Sequence, residues 1–566
     1  MTQGVHPMSE AKEEAKIVLQ STGSDAGTGP IAPIHPSSRS NWLFHCQHLL
    51  LTFKPLKHLF LARGWLPLRE YRKWPPKISI AFLNDDLLLR IFSLNTLTDA
   101  DIVQKIFSTN EYSLITARHT SQVCAGWRFL MLGSSVFWAN SINLKHLDQK
   151  NDNWRREILN RTGTSLLSVM GHLPEGRHAA QFFLSLLGNH WMRLQRISVY
   201  ISDPSVIQDE RWLSIQSPAP NLEVFCIEFS SPPTFSTADD VLFSNDAPSI
   251  NTFITNNINF NFSGRWLSHL RCLDLTSFSI SQTFLCSLAE MFALESLGIA
   301  DVDIHAEDCE WPMIILPKLK RLSLCVNLRT LILLMGCITP TSGCISQYVI
   351  WGNPISLPSK EDLILLRRGF STHFQYFSNL YPTDTISWSM TENIITLNTT
   401  LELGGANSAF CFGLEIDGGS PWHGIPDIIL HSLCSCGLNS ITKLELEMSP
   451  DALNICASPF AKLCRSLSSV ETMHTDSQTM EVLMQLREDL DGVILFPSLK
   501  TIVFDTCADL KCDLIVRFLL QRRDAGVPIT EFDLSDCNSS HLDRLLFLGG
   551  INGLNVKWKE EIQYGI

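Results

Sequence analysis

LKRLSL, residues 319–324, sets Leu319, Leu322 and Leu324 in an L-x-x-L-x-L frame, a short strand of period two with its apolar residues on one face. The frame returns as LQRISV from Leu194, LEVFCI from Leu222, INTFIT from Ile250, LRCLDL from Leu270 and LESLGI from Leu294. Successive starts lie 28, 28, 20, 24 and 25 residues apart. Later copies are ITKLEL from Ile441, LKTIVF from Leu499 and ITEFDL from Ile529. Pro220, Pro248, Pro317 and Pro497 each stand two residues before the first apolar position, where proline ends the preceding segment and sets an extended approach to the strand. Between strands lie helical stretches such as QTFLCSLAEM from Gln282 to Met291. One strand and one returning helix cannot bury their apolar faces alone, but stacked copies can.

This arrangement resembles the leucine-rich repeats and covers well over half the chain. The resemblance implies an α/β fold in which residues 191–566 form an irregular solenoid, with parallel strands on the concave side and helices outside. The repeat is irregular: the strand-following asparagine is mostly absent, and Thr255 replaces the last apolar residue of one unit. Residues 337–425 do not register cleanly and read as degenerate repeats or an insertion. They hold a helix expected from Lys360 to Phe370, then TISWS and IITLNTTLEL, which alternate like half-buried strands. The closing FLLQRRDAGVPITEFDLSDC reads as helix, Gly-Pro turn and strand.

Neighbouring side chains on a strand face opposite ways, so the residues between the leucines are expected to line the concave face. In chain order these are Arg196, Ser198 and Tyr200; Val224, Cys226 and Glu228; Cys272, Asp274 and Thr276; and Arg321, Ser323 and Cys325. The late units give Lys443, Glu445 and Glu447; Thr501, Val503 and Asp505; and Glu531, Asp533 and Ser535. The expected target contacts are Arg196, Tyr200, Glu228, Asp274, Arg321, Lys443, Glu445, Glu447, Asp505, Glu531 and Asp533. The carboxylates gather at the C-terminal end, which points to a basic patch or basic peptide as the target's binding element.

Ahead of the repeats runs LNDDLLLRIF from Leu83, followed by SQVCAGWRFLMLGSSVFWA ending at Ala139. Asn84, Asp85 and Asp86 favour a helix N-terminus. Leu83, Leu87 and Ile91 form one apolar row and Leu88 and Phe92 an adjoining one, more than a three-turn helix hides against a single neighbour. A second helix is expected from about Ser113 to Met131, and a short third element carries Phe137 and Trp138. The ordered Leu83, Leu87, Ile91-Phe92, Val123-Cys124-x-x-Trp127 and Phe137-Trp138 resemble the F-box as found in fungal (basidiomycete-type) F-box proteins. The match covers roughly a tenth of the chain. The resemblance implies docking to the Skp-type adaptor, and through it to cullin, with Leu83, Leu87, Ile91, Phe92, Val123, Cys124, Trp127 and Trp138 buried either in the head's own small core or against the adaptor. Two departures are Asn84, where the family usually has proline, and a longer connection from Ser93 to Tyr112.

The outer bounds are those of a folded protein. Among 566 residues, 45% are hydrophobic and 18% charged, the balance of a globular chain long enough for several domains or one extended array. A formal charge of -13 without a Lys/Arg cluster argues against nucleic acid as a partner. The 17 cysteines are scattered behind a polar, acidic N-terminus, so reduced thiols in cytoplasm or nucleus are expected. His431-x-x-Cys434-x-Cys436 lacks a second pair at zinc spacing, and no metal or cofactor is expected. Residues 1–41 read as a disordered tail and 42–78 as an amphipathic helical segment. Lys54, Pro55 and Lys57 interrupt Trp42–Leu68 too centrally for a membrane span. By the same resemblance residues 79–145 are expected to form the F-box, with connecting helices and a strand over 146–190. No nucleophile elbow, metalloprotease, phosphate-loop or dinucleotide motif occurs. The expectation is a substrate-receptor (adaptor) subunit of a Skp–cullin–F-box type E3 ubiquitin ligase. The alternatives are a leucine-rich-repeat interaction scaffold outside ubiquitination and, with only the Trp42–Leu68 helix in its favour, a membrane-associated enzyme.

Overall fold

The strands start from a recurrent turn. The N–H of Leu222 donates to Ala219, Ile250 to Ala247, Leu319 to Leu316 and Leu499 to Phe496, at 3.0–3.3 Å. The second residue of each of these four-residue turns is Pro220, Pro248, Pro317 or Pro497, where the ring presets the required φ. The same bond closes without proline at Leu270, Leu294, Ile441 and Leu554. The apolar residue that ends the turn drops into the core: Leu222, Ile250, Leu270, Leu294, Leu319, Ile441 and Leu499 are at most 2% exposed. The next N–H reaches back to the preceding strand, Glu223 to Gln195, Asn251 to Glu223, Arg271 to Asn251, Glu295 to Arg271 and Lys320 to Glu295, at 2.7–3.0 Å. Turn, buried plug and ladder bond together fix the register of each strand on the last.

The chain is seen in a computed structural model that describes residues 83–94, 113–304, 311–350, 358–379, 383–391, 394–400, 410–415, 424–490, 492–504, 512–535, 537 and 539–558. The expected tail at 1–41, the segment at 42–78, residues 79–82 and most of the Ser93–Tyr112 connection lie outside the described residues, as do Asp505 and Cys507. Leu83–Ile566 forms one compact unit. It is mixed α/β, built on a seventeen-stranded, mostly parallel sheet.

In chain order the strands are β1 (Ile142–Asn143), β2 (Leu167–Leu173), β3 (Leu194–Ile201), β4 (Val224–Phe229), β5 (Thr252–Asn256), β6 (Cys272–Thr276), β7 (Ser296–Ala300), β8 (Arg321–Val326) and β9 (Ile345–Ile350). There follow β10 (Thr385–Met390), β11 (Ile394–Thr400), β12 (Phe410–Glu415), β13 (Lys443–Met448), β14 (Thr472–Thr475), β15 (Thr501–Phe504), β16 (Glu531–Asp533) and β17 (Asn555–Lys557). Each of β1 to β8 pairs in parallel with its successor, and so does each of β13 to β16. Between them the order reverses: β9 pairs with β12, β12 and β10 both pair antiparallel with β11, and β10 pairs in parallel with β13. The open question over residues 337–425 thus resolves as a three-strand insertion that fills the sheet backwards. TISWS and IITLNTT are two of its strands.

The helices are α1 (Asp85–Leu94), α2 (Ser113–Thr120), α3 (Ala125–Gly133), α4 (Ser135–Ala139), α5 (Asn153–Arg161), α6 (Ala179–His190), α7 (Gln282–Ala289), α8 (Leu328–Cys337), α9 (Lys360–Ser378), α10 (Ile425–Ser435), α11 (Pro450–Ser466), α12 (Ser477–Asp489) and α13 (Cys512–Asp524). From α8 to α13 each packs beside the next, over the strand face that holds Leu322, Leu324, Leu444 and Leu446. Two expectations are corrected. The single helix over Ser113–Met131 is broken, because Cys124 takes an extended backbone and starts α3 as its N-cap. Over β4–β6 the returning segments are short 3-10 turns, Glu210–Gln216, Leu242–Asn245 and Arg265–His269. Rings replace helix packing there: Phe225 stacks on Phe253 at 5.2 Å, and Trp266 meets Phe243 and Phe253 at 5.1 Å each.

Cys537 departs from the expectation of reduced thiols, being disulfide-bonded, while the other described cysteines are free. No helix among the described residues is long and apolar enough to cross a membrane.

At the insertion, His373 of α9 is fully enclosed. Its Nδ1 accepts a hydrogen bond from the Tyr348 hydroxyl on β9, and its Nε2–H donates to Ile338 O at 3.0 Å. Burial pushes the imidazole down from 6.5 to about 4. The unfolded chain therefore binds the extra proton between those values, and stability falls as pH drops through that window. This residue alone accounts for a slope of up to about 1.4 kcal/mol per pH unit. His373→Gln is expected to lower stability at pH 7 yet flatten the acid slope, read from denaturant midpoints between about pH 7 and pH 5.

Candidate functional site

Two surfaces carry side chains that folding leaves unused. The first is the helical head. Asn84 caps α1, its Oδ1 accepting the Leu87 N–H at 2.8 Å, and Asp85 and Asp86 occupy the first turn. The Leu88/Phe92 row turns inward, with Phe92 against Trp127 at 4.7 Å between ring centres. Cys124 Sγ accepts the backbone N–H of Trp127 at 3.4 Å and so caps α3. Trp138 is 1% exposed, its Nε1–H donating to Met131 O at 2.8 Å, with the Arg161 guanidinium 4.7 Å above its ring.

Of the eight residues singled out in the head, Phe92 and Trp138 are therefore core. Leu83, Ile91 and Trp127 are half-buried, while Leu87, Val123 and Cys124 are exposed. The sequence reading missed Phe129, 80% exposed, and the exposed Leu94, Leu132 and Val136. The i, i+3 spacing of Phe129 and Leu132 was the available signal, since it puts both on one side of α3. Apolar side chains this exposed and this close in sequence mark a contact surface.

The second surface is the sheet face opposite α8–α13. Register places Ser198, Cys226, Ile254, Asp274, Gly298, Ser323, Gln347, Cys411, Asn398, Ser387, Glu445, His474, Val503, Asp533 and Lys557 in one row that crosses β3 to β17. Flanking rows carry Arg196 and Arg321 on one side and Tyr200, Glu228 and Glu447 on the other. Lys443 and Glu531 start their strands beside the same face. The residues contributed by β10–β12, namely Ser387, Asn398 and Cys411, were not anticipated, because a reversed strand leaves no mark in a period-two pattern.

This face is not uniformly open. Val224, Cys226, Ile254 and Cys272, three of them expected to face solvent, bury one another as a small apolar cluster. Cys226 and Ile254 stand directly opposed on β4 and β5, while Val224 on β4 and Cys272 on β6 flank Ile254 diagonally across Thr252. Burial pushes the Cys226 and Cys272 thiols up to about 12 and about 11, so neither is a nucleophile near neutral pH.

Asp274 borders this cluster and leans over Gly298 on β7, where an added Cβ would lie 2.6 Å from its Cγ. Burial raises its carboxyl to about 6. Glu228 is raised as well, by burial first and by the Asp274 charge second. Tyr200 rests on His172 at 4.8 Å, and Arg196 reaches Glu223 at 3.7 Å.

The late strands differ. Lys443, Glu445 and Glu447 are exposed, and Ser389 Oγ–H donates to Glu447 at 2.9 Å. Glu531 and Asp533 already face Lys557 of β17, at 2.6 and 3.9 Å. The expected acidic C-terminal end is thus partly neutralised from within, and among the described residues Glu445 and Glu447 form no salt bridge. Among the described residues no three His, Cys, Asp or Glu side chains converge as a metal site. No known family model matches the sequence, and no curated protein matches it.

Asp274 yields a pH test. Its folded carboxyl titrates above the ordinary 3.8, so acidification from about 6 to 3.8 relieves a burial cost that is present in full at higher pH. Asp274→Asn is expected to raise stability by about 1–2 kcal/mol at pH 7.5 and by nothing near pH 4, measured by denaturant melts at the two pH values.

Proposed function

We propose that this chain is a substrate-receptor subunit of a Skp–cullin–F-box type E3 ubiquitin ligase. Helices α1–α4 are its F-box, and the strand-and-turn units form an irregular leucine-rich-repeat solenoid. The observation that carries the reading is the division of labour within the head. Phe92, Trp127 and Trp138 hold three helices together, while Leu87, Val123 and Phe129 remain outside in a sequence ordered like the F-box. A foreign apolar surface that covered them would gain roughly 25 cal/mol for each Å² removed from water.

The reading requires no bond chemistry from this chain. The head grips the Skp-type adaptor, and through it cullin; the uncovered sheet face grips a target protein. A lysine of that target is thereby held near the recruited conjugating enzyme, which raises the local concentration of the reacting groups. Exposed Glu445 and Glu447, beside Ser387 and Ser389, favour a basic segment on the target and exclude an acidic one.

Leu87→Asp combined with Phe129→Asp puts charge on exposed positions only, so the melting temperature is expected to stay within about a degree of wild type. Co-purification of adaptor and cullin is expected to fall at least tenfold. Undiminished capture by this variant, or a wild type that never recovers the adaptor, overturns the ligase reading; the latter leaves a plain repeat scaffold. Separately, Glu445→Lys with Glu447→Lys is expected to reduce recovery of basic partners severalfold without changing adaptor capture. Unchanged partner recovery in cross-linked pull-downs removes the sheet-face assignment.

A further inference from the structure

Away from both surfaces, a cavity of about 20 Å³ lies between α12, α13 and the turn before β15. Arg487, Arg522, Leu483, Phe496 and Phe518 line it, and no acidic residue does. Arg522 is 5% exposed. Its two terminal nitrogens are spent on carbonyls, Nη1 donating to Leu495 O at 2.8 Å and Nη2 to Phe496 O and Leu499 O at 3.0 and 3.2 Å. Its Nε–H is buried with no acceptor. Arg487 supplies the second guanidinium, held by Gln521 Oε1 at 2.6 Å. Burial, and then the Arg487 charge, lower Arg522 to about 10.

The neighbouring arginines differ in kind. Arg517 has Glu488 at 3.8 Å and Arg523 has Asp524 at 3.7 Å, all four exposed. Among the described residues no carboxylate forms a salt bridge with Arg487 or Arg522. Two cations that share a small apolar cavity with a spare donor make an incomplete electrostatic arrangement, because a buried charge is stable only when paired and hydrogen-bonded.

We propose that this cavity binds one monatomic anion of the size of chloride, which offsets the Arg487–Arg522 pair and accepts the Arg522 Nε–H. The volume suits a single water-sized occupant. By holding Arg522, the anion also fixes the three carbonyls that lead through Leu499 into β15. Halide binding therefore stabilises the C-terminal part of the sheet, which carries Asp533 and Lys557.

The test is thermal melting of the full chain in sodium chloride or bromide against sodium gluconate at equal ionic strength. The melting temperature is expected to be higher in halide by on the order of 2 °C. Arg522→Met would also lose three carbonyl bonds and fold poorly, so Arg487→Gln serves as the discriminating variant. It is expected to fold in gluconate and to lose the halide increment. Crystals grown in bromide are expected to show an anomalous peak within hydrogen-bond distance of Arg522 Nε. Equal melting of wild type in halide and gluconate overturns the assignment, as does a halide increment retained in Arg487→Gln, or a water alone in the cavity of bromide crystals.

Discussion

The whole sheet depends on a four-residue turn whose last amide donates back three residues and whose last side chain plugs the core. The following amide then has only the previous strand's carbonyl to reach, as Glu223 reaches Gln195 and Lys320 reaches Glu295. A slip of one residue would drive Glu445 and Glu447 inward and push Leu444 and Leu446 out to water. The rows on the open face therefore need no interaction of their own to stay aligned. They inherit their alignment from plugs on the other side.

Both proposed binding surfaces consist of what this core cannot absorb. In the head, the Phe92–Trp127 contact and the buried Trp138 complete a small core and leave an apolar remainder outside. On the sheet face the remainder changes along the strand order. Near β4–β6 the side chains are packed tightly enough to bury two thiols and raise two carboxyls; near β13 they stand free and charged. A partner laid along the face would meet a shaped, half-dry patch at one place and a charged, hydrated one at another. The first favours fit and the second favours approach and orientation.

Strand positions were legible because L-x-x-L-x-L combines a period of two with a turn signal, and both are local. The choice between head rows was not legible: Leu83/Leu87/Ile91 and Leu88/Phe92 are adjoining stripes of equal apolar character, and only the position of Trp127 selects the second. The break before α3 was hidden because cysteine is a weak cap by composition, and its sulfur acts as one here through the extended backbone that Cys124 adopts. The pairing of Glu531 and Asp533 with Lys557 was invisible because β17 carries no repeat signature. Val224, Cys226 and Cys272 were placed on the correct face, but their burial depends on neighbours one strand away, which a single repeat does not reveal.

The reversed filling of β10–β12 has a consequence for how the chain is made. As synthesis proceeds, strands up to β9 can dock one after another, each onto an edge already present. After β9 this stops, because its partner β12 emerges only behind α9 and two further strands. Until then the nascent chain holds a bare parallel edge, the kind of template that recruits another chain. The part of the sheet from β1 to β9 must therefore keep that edge open until the last strand of the insertion arrives.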